Sequence, residues 1–280
     1  MTLDLPAWSE PFRGPDRRHL ERAAPWGRID REWAFGDATG RGVTVAILDS
    51  GVEGEHPAVG GKLVRSMAVS LVDGAPIVAP ADGEGDLVGH GTACAGIIHG
   101  LAPEADLISV RVLGAENRGK GSVFATGLDW VIESGASVVN LSLSSRSEDF
   151  HGILHELVDR AYFANVLFVC AANNVPGPSY PSLFSSVASV AAHDLPDANV
   201  WFYNPNPPVE FAAPGVDVEV AWRGGTQLVV TGNSFAAPHI AGLAARIRAA
   251  HPGITPFETK AILAGTADNV RSAAGSVPDR

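Results

Sequence analysis

Runs of consecutive apolar, often β-branched residues recur along this chain at 43–48, 107–110, 137–141 and 166–169. A strand that is apolar on both faces is buried on both faces, so these runs predict central strands of a covered sheet. Helix-length stretches at 90–99, 123–133 and 154–164 alternate with them, and two more follow at 234–250 and 256–264. The alternation predicts an α/β fold, a three-layer, doubly wound and mostly parallel sheet with helices on both faces. Residues 171–232 are rich in Pro, Gly and Asn and hold only short strand candidates, yet nothing there reads as a linker, and no repeat or low-complexity tract occurs.

The first forty residues are irregular: Pro6, Pro11, Pro15 and Pro25 break any helix, while Trp8, Trp26 and Trp33 suggest that the segment lies against the body. Residues 1–24 are taken as an N-terminal extension and 25–280 as a single domain.

Composition narrows the class. A net charge of −11 and a pI near 5.2 argue against nucleic acid, which requires a concentrated basic face. Six Arg do fall between Arg13 and Arg31, but Asp16, Glu21, Asp30 and Glu32 interleave with them. Two cysteines, Cys94 and Cys170, are too few for a disulfide scaffold and read as free buried thiols. No apolar run reaches the length of a membrane span, and the N-terminus lacks a signal-peptide pattern. The expectation is a soluble, cytoplasmic, monomeric enzyme.

In such a sheet, reactive groups belong where strands end and loops gather. Asp49-Ser50-Gly51 directly follows the first run; taken alone it is an ordinary turn. Gly89-His90-Gly91-Thr92-Ala93-Cys94-Ala95-Gly96 opens a helix of small residues with a His, which by itself reads as a cap. Gly232-Asn233-Ser234-Phe235-Ala236-Ala237-Pro238-His239 puts a Ser at the start of an apolar, Ala-rich helix. That Ser reads as an N-cap or as a nucleophile beside the helix's free N–H groups. Asp, His and Ser in this chain order are one of the known arrangements of a hydrolase triad.

Together the three motifs resemble those of the subtilisin (subtilase) family of serine peptidases over roughly residues 25–270, with a Cys after the His as in its proteinase K-like branch. The resemblance implies that His90, oriented by Asp49, takes the proton of Ser234 as it attacks a peptide carbonyl. Cys170-Ala171-Ala172-Asn173-Asn174 resembles the family's Ala-Ala-Gly-Asn segment, which places Asn174 in the oxyanion hole with the Ser234 N–H. A neutral His is required, so activity should rise through about pH 6–7. The partner is a peptide or protein bound extended between Asn117, Arg118 and Gly119 on one side and Ser142, Leu143 and Ser144 on the other, with Ala172 and Asn173 lining the pocket beside the scissile bond. No cofactor and no metal are expected.

Several positions depart from the family pattern. Ser144 and Asn173 stand where Gly is frequent, which should make that pocket shallower or more polar and favour small or polar residues before the scissile bond. Asn233 replaces a common Thr and should weaken auxiliary oxyanion support. His56-Pro57-Ala58-Val59 lacks the carboxylate of a calcium loop. Asp82, Glu84 and Asp86 read as a solvated acidic rim near His90 that would favour basic substrates. Cys94 lies one helical turn after His90 and packs in the core, though a bulky mercurial there should inhibit. About 25 residues precede the matching region, fewer than the long inhibitory propeptide of secreted relatives. The expectation is either that the arm with Arg13, Arg17 and Arg18 is a short inhibitory or docking segment or that the enzyme is selective and works inside the cell, with leader-peptide removal one compatible role.

Two rival motifs fall short. Residues 114–120 nearly spell a phosphate-binding loop, but Gly121 stands where Ser or Thr is needed; His151 and His155 lack a third zinc ligand. A peptide-binding pseudoenzyme and an acyl-transferring variant remain as alternatives on the same fold.

Overall fold

The computed structural model describes residues 29–270 except residue 84. Trp8, Trp26, Glu84 and the boundary at residue 24 therefore lie outside the described residues. The elements in chain order are α1 (Arg31–Phe35), β1 (Thr44–Asp49), β2 (Leu63–Val72), β3 (Ala75–Pro80), α2 (His90–Leu101), β4 (Asp106–Arg111), α3 (Gly121–Ile132), β5 (Val138–Leu141), α4 (His151–Phe163), β6 (Leu167–Ala171), β7 (Ala188–His193), β8 (Phe202–Tyr203), β9 (Phe211–Pro214), β10 (Val218–Trp222), β11 (Thr226–Val230), α5 (Asn233–Ala250) and α6 (Pro256–Gly265).

Nine strands form one sheet in the order β3-β2-β4-β1-β5-β6-β7-β9-β8. Every neighbouring pair from β2 to β9 is parallel, and only the edge strands β3 and β8 run antiparallel. All four strand expectations and all five helix expectations correspond to elements, so the three-layer α/β architecture stands. The β2–β3 hairpin was not expected. It turns on Asp73 and Gly74, both at positive φ, as a two-residue hairpin turn requires. Its burial pattern is mostly half-exposed, without the continuous apolar run that marks the central strands.

Strand alternation builds two cores. On β1, Val45 and Ile47 face the layer of α2, α5 and α6, while Ala46 and Leu48 face α3 and α4. All four are fully buried, and burying a side chain such as Ile47 or Leu48 contributes about 1.5–3 kcal/mol. On β5, Val138 belongs to the first core and Val139 and Leu141 to the second. Asp49 continues the odd-numbered face of β1, and Asn140 and Ser142 continue the even-numbered face of β5, so all three point toward α2 and α5.

Helix α5 lacks a polar face because it is buried nearly all round, from Phe235 through Ala245. Helix α2 reaches β1 closely because Gly91 has no side chain; a Cβ there would run into the Gly51 carbonyl oxygen. Short α1 is capped by Asp30, which accepts from the Trp33 N–H at 2.9 Å, and the Trp33 ring packs on His251 with centroids 4.2 Å apart.

Candidate active site

β1 ends in Asp49, which is fully buried, and α2 begins with His90, which is 7% exposed. His90 Nδ1 lies 2.9 Å from Asp49 Oδ1 and 2.8 Å from Oδ2. The Ser50 N–H also donates to Asp49 Oδ1 at 2.7 Å. An ionised carboxylate only accepts, so Nδ1 carries the proton and Nε2 is left with its lone pair. Burial works against a charged imidazole, but Asp49 through its charge and hydrogen bond, with Asp86 behind it, outweighs burial and holds the His90 pKa above its ordinary 6.5.

Ser234 sits in the first turn of α5, partly exposed, one residue from Phe235, whose ring packs on the His90 ring at 5.1 Å. Pro238 lacks an N–H, so the Ser234 carbonyl has no helical donor. Ser142 Oγ fills that vacancy by donating to it at 2.7 Å, while accepting from Asn140 Nδ2 at 2.9 Å. Four residues after Phe235, His239 keeps a proton on Nδ1 for the Phe235 carbonyl at 2.9 Å, and burial pushes its pKa down to about 4.

Asn174 follows β6. Its Oδ1 accepts from the Asn233 N–H at 2.8 Å, which fixes the amide's orientation and leaves Nδ2 as an outward donor. A side-chain carbon on Gly232 would stand 3.3 Å from Ser234 Oγ and 3.5 Å from Asn174 Nδ2, so both groups border one small space that only glycine leaves open. The Phe235 N–H is taken by the Gly232 carbonyl at 3.0 Å, and the Ser234 N–H has no partner among the described residues.

Asn233 has a scaffold role that its sequence context did not indicate. Its side chain accepts from the Ala192 N–H at 2.8 Å and donates to the carbonyls of Ala172 at 3.1 Å and Asn173 at 3.2 Å. All its polar capacity faces the scaffold, pinning the segment that carries Asn174 to β7 and to α5. The Asn173 side chain turns back to accept from the Val175 N–H at 3.2 Å.

The two expected substrate edges do come together. Asn117, Arg118 and Gly119 face Ser142, Leu143 and Ser144 across a cleft of about 400 Å³, floored by Leu113 and Phe124. Ala172 lies at the end of β6, its N–H bonded to the Val190 carbonyl at 2.8 Å.

Of the expected solvated acidic rim, Asp86 is not solvent-facing. Asp86 is buried and accepts five hydrogen bonds: from Ser50 Oγ at 2.7 Å, the N–H groups of Val88, Gly89 and Thr92 at 2.9, 2.8 and 2.8 Å, and Thr92 Oγ1 at 2.7 Å. It thereby closes the N-terminus of α2, whose cap residue Gly89 has no side chain to do so. Asp82 is ion-paired with Arg111 at 2.5 Å. Sequence reasoning missed the roles of Asp86, Asn140 and Asn233; Pro238 four residues after Ser234 was the readable sign that a donor to that carbonyl had to come from elsewhere.

Among the described residues, the one cluster of three side chains of metal-ligand type is Asp49, His90 and Cys94. Its carboxylate is committed to His90, and burial together with Asp49 pushes the Cys94 thiol well above its ordinary pKa, so a thiolate ligand is disfavoured. His151 and His155 stack on α4 beside Tyr180 and Phe184 rather than converging with a third ligand. No described helix is long and apolar enough to cross a membrane.

A family model described as the subtilase family matches residues 40–279. Subtilisin BL of Lederbergia lenta is 35% identical over 265 residues, covering 90% of this chain and 94% of its own. A thermostable alkaline protease of Halalkalibacterium halodurans is 33% identical over 250 residues, 84% of this chain and 66% of the relative. A crystal structure of a cold adapted subtilisin-like serine proteinase superposes with a TM-score of 0.67 at 27% identity, covering 86% of this chain and 88% of that one.

Proposed function

The chain belongs to the subtilase family of serine peptidases, and from that premise we propose that Asp49, His90 and Ser234 carry peptide-bond hydrolysis, with Asn174 as oxyanion donor. The observation that carries this reading is the double contact of Asp49 with His90 Nδ1, because it leaves Nε2 unprotonated on the same ring that packs against the residue after Ser234.

Chemistry follows from those positions. A neutral Ser234 hydroxyl is a poor nucleophile until His90 Nε2 accepts its proton during attack on the peptide carbonyl. The imidazolium so formed is stabilised by Asp49, which stays ionised. The carbonyl oxygen, now an alkoxide, lies in the space bordered by Asn174 Nδ2 and the Ser234 N–H. Collapse expels the amine, which takes its proton from His90. Water then repeats the attack on the acyl-enzyme, and the acid product leaves.

The peptide lies extended in the cleft between residues 117–119 and 142–144, its backbone pairing with the two edges. Ser144 on that wall supports a selective enzyme favouring small or polar residues before the scissile bond, in keeping with processing of a precursor rather than general digestion. A fluorophosphonate probe should label the protein and fail to label Ser234→Ala; a labelled Ser234→Ala variant would remove Ser234 as nucleophile. Mass analysis of products from a defined peptide distinguishes hydrolysis from transfer of the acyl group to an amine, and makes a pure binder evident.

A further inference from the structure

We propose that the cleft selects peptides carrying an acidic side chain on the acyl side of the scissile bond, held by Arg118 and Lys120. The inference rests on the peptidase reading and deepens it by naming the class of substrate. It also reverses the expectation of basic substrates, which depended on a rim of free carboxylates.

The loop between β4 and α3 separates the 400 Å³ cleft from a second hollow of about 270 Å³, and Arg118, Gly119 and Lys120 line both. Among the described residues, neither lining contains Asp or Glu. On a chain of net charge −11 this is a local inversion of sign. Arg118 and Lys120 are exposed, and neither forms an ion pair with a described residue.

Of the nearby carboxylates, Asp82 pairs with Arg111, and neither Asp86 nor Glu148 lines either hollow. Glu116 lies on the same turn but lines neither hollow.

The wall is also fixed. The Gly114 N–H donates to the Arg118 carbonyl and the Asn117 N–H to the Gly114 carbonyl, both at 2.9 Å, with Asn117 in the left-handed region at φ 55°. Gly119 passes so close to the Val112 carbonyl that no side chain fits there. Two cations thus flank a bare stretch of backbone in a cleft whose apolar lining of Leu113, Phe124 and Leu143 is suited to the methylenes of a glutamate. Lys120 stands at the N-terminus of the twelve-residue α3, whose positive end adds to the same sign. Opposed charges at such a rim act on encounter and on selectivity.

The test uses the whole chain and matched peptides with Glu, Gln or Lys at each position on the acyl side. At low salt, Glu should exceed Lys in kcat/KM by about tenfold at one position, the sum of two partly exposed pairs. At 1 M salt, where charges more than about 3 Å apart are screened, the ratio should fall toward one. Reversal of both charges, Arg118→Glu with Lys120→Glu, should make Lys the better residue. Equal kcat/KM for Glu and Lys everywhere, a Glu preference insensitive to salt, or one that survives the double reversal would overturn the inference. Cleavage of the Gln peptides and fluorophosphonate labelling of the wild-type chain report separately on the peptidase reading; if both are absent, that reading fails and this inference with it.

Discussion

The backbone N–H of Asn233 donates to Asn174 Oδ1 at 2.8 Å, while the side chain of the same Asn233 grips the two residues before Asn174 through their carbonyls. Asn233, the residue preceding Ser234, therefore holds Asn174 from both ends. Any change that loosens Asn233 displaces Asn174 relative to Ser234.

Removal of the donor should act on the transition state alone. Asn174→Ala is expected to lower kcat by a hundredfold to a thousandfold with little change in KM, about 2.7–4 kcal/mol, a magnitude carried over from subtilisin itself. Asn233→Ala should lower kcat in the same direction and also reduce stability by about 1–3 kcal/mol, since the Ala192 N–H loses its acceptor. Steady-state kinetics and thermal melts check both; an unchanged kcat in Asn233→Ala would separate it from the oxyanion site.

The pH profile depends on two carboxylates. Because Asp49 and, at longer range, Asp86 raise the His90 pKa, the acid limb of kcat/KM should have its midpoint above about 6.5. Asp86→Asn should move that midpoint down, as one attractive charge is removed. By linkage, a raised folded-state pKa means that the stability contributed by His90 is full below its unfolded value and lost as pH rises through the folded one. Rate profiles of wild type and Asp86→Asn decide the matter; identical midpoints would dismiss a role for Asp86 in the charge of His90.

Cys94 should be chemically quiet in the folded state. It is fully buried, its thiol pKa is pushed well above the ordinary range, and Sγ lies 3.3 Å from Ser142 Oγ. Iodoacetamide at pH 8 should modify it only as fast as the protein opens, whereas a bulky mercurial once bound to Sγ should inhibit through its nearness to Asp49 and the Ser234 carbonyl. Rapid alkylation without unfolding would contradict this packing.

Gly91→Ala should be among the most damaging single-carbon additions. The new Cβ meets a backbone oxygen, that of Gly51, rather than the end of a flexible side chain. Helix α2 would have to back away from β1, costing about 1–3 kcal/mol of stability and stretching the contact of His90 with Asp49. A melt unchanged from wild type would show that the helix can shift without loss.

Much of the frame was legible in the sequence. Continuous apolar runs at 43–48 and 166–169 marked strands buried on both faces, and the motifs around Asp49, His90 and Ser234 stood at strand or helix ends. The β2–β3 hairpin escaped notice because its strands are half-exposed and lack that run, although Asp73-Gly74 carried a turn signal.

The side-chain partners were another matter. Asp86, Asp82 and Glu84 look alike in sequence, yet Asp86 caps the open end of α2 through nearby N–H groups and is held by Ser50, which it meets only once the helix is docked on β1. Asn233 looked like a weaker Thr and instead ties together Ala172, Asn173 and Ala192 from some forty to sixty positions away.

Local order along the chain thus determined which residues become strand, helix or turn, because the period of apolar positions is a local property that burial rewards directly. Which polar group finds which partner, and therefore the charge state of His90, the aim of Asn174 and the sign of the cleft, was decided only by the tertiary packing. Hydrogen bonds and ion pairs form over a few ångströms in space, and no spacing in sequence states which distant groups will be brought that close.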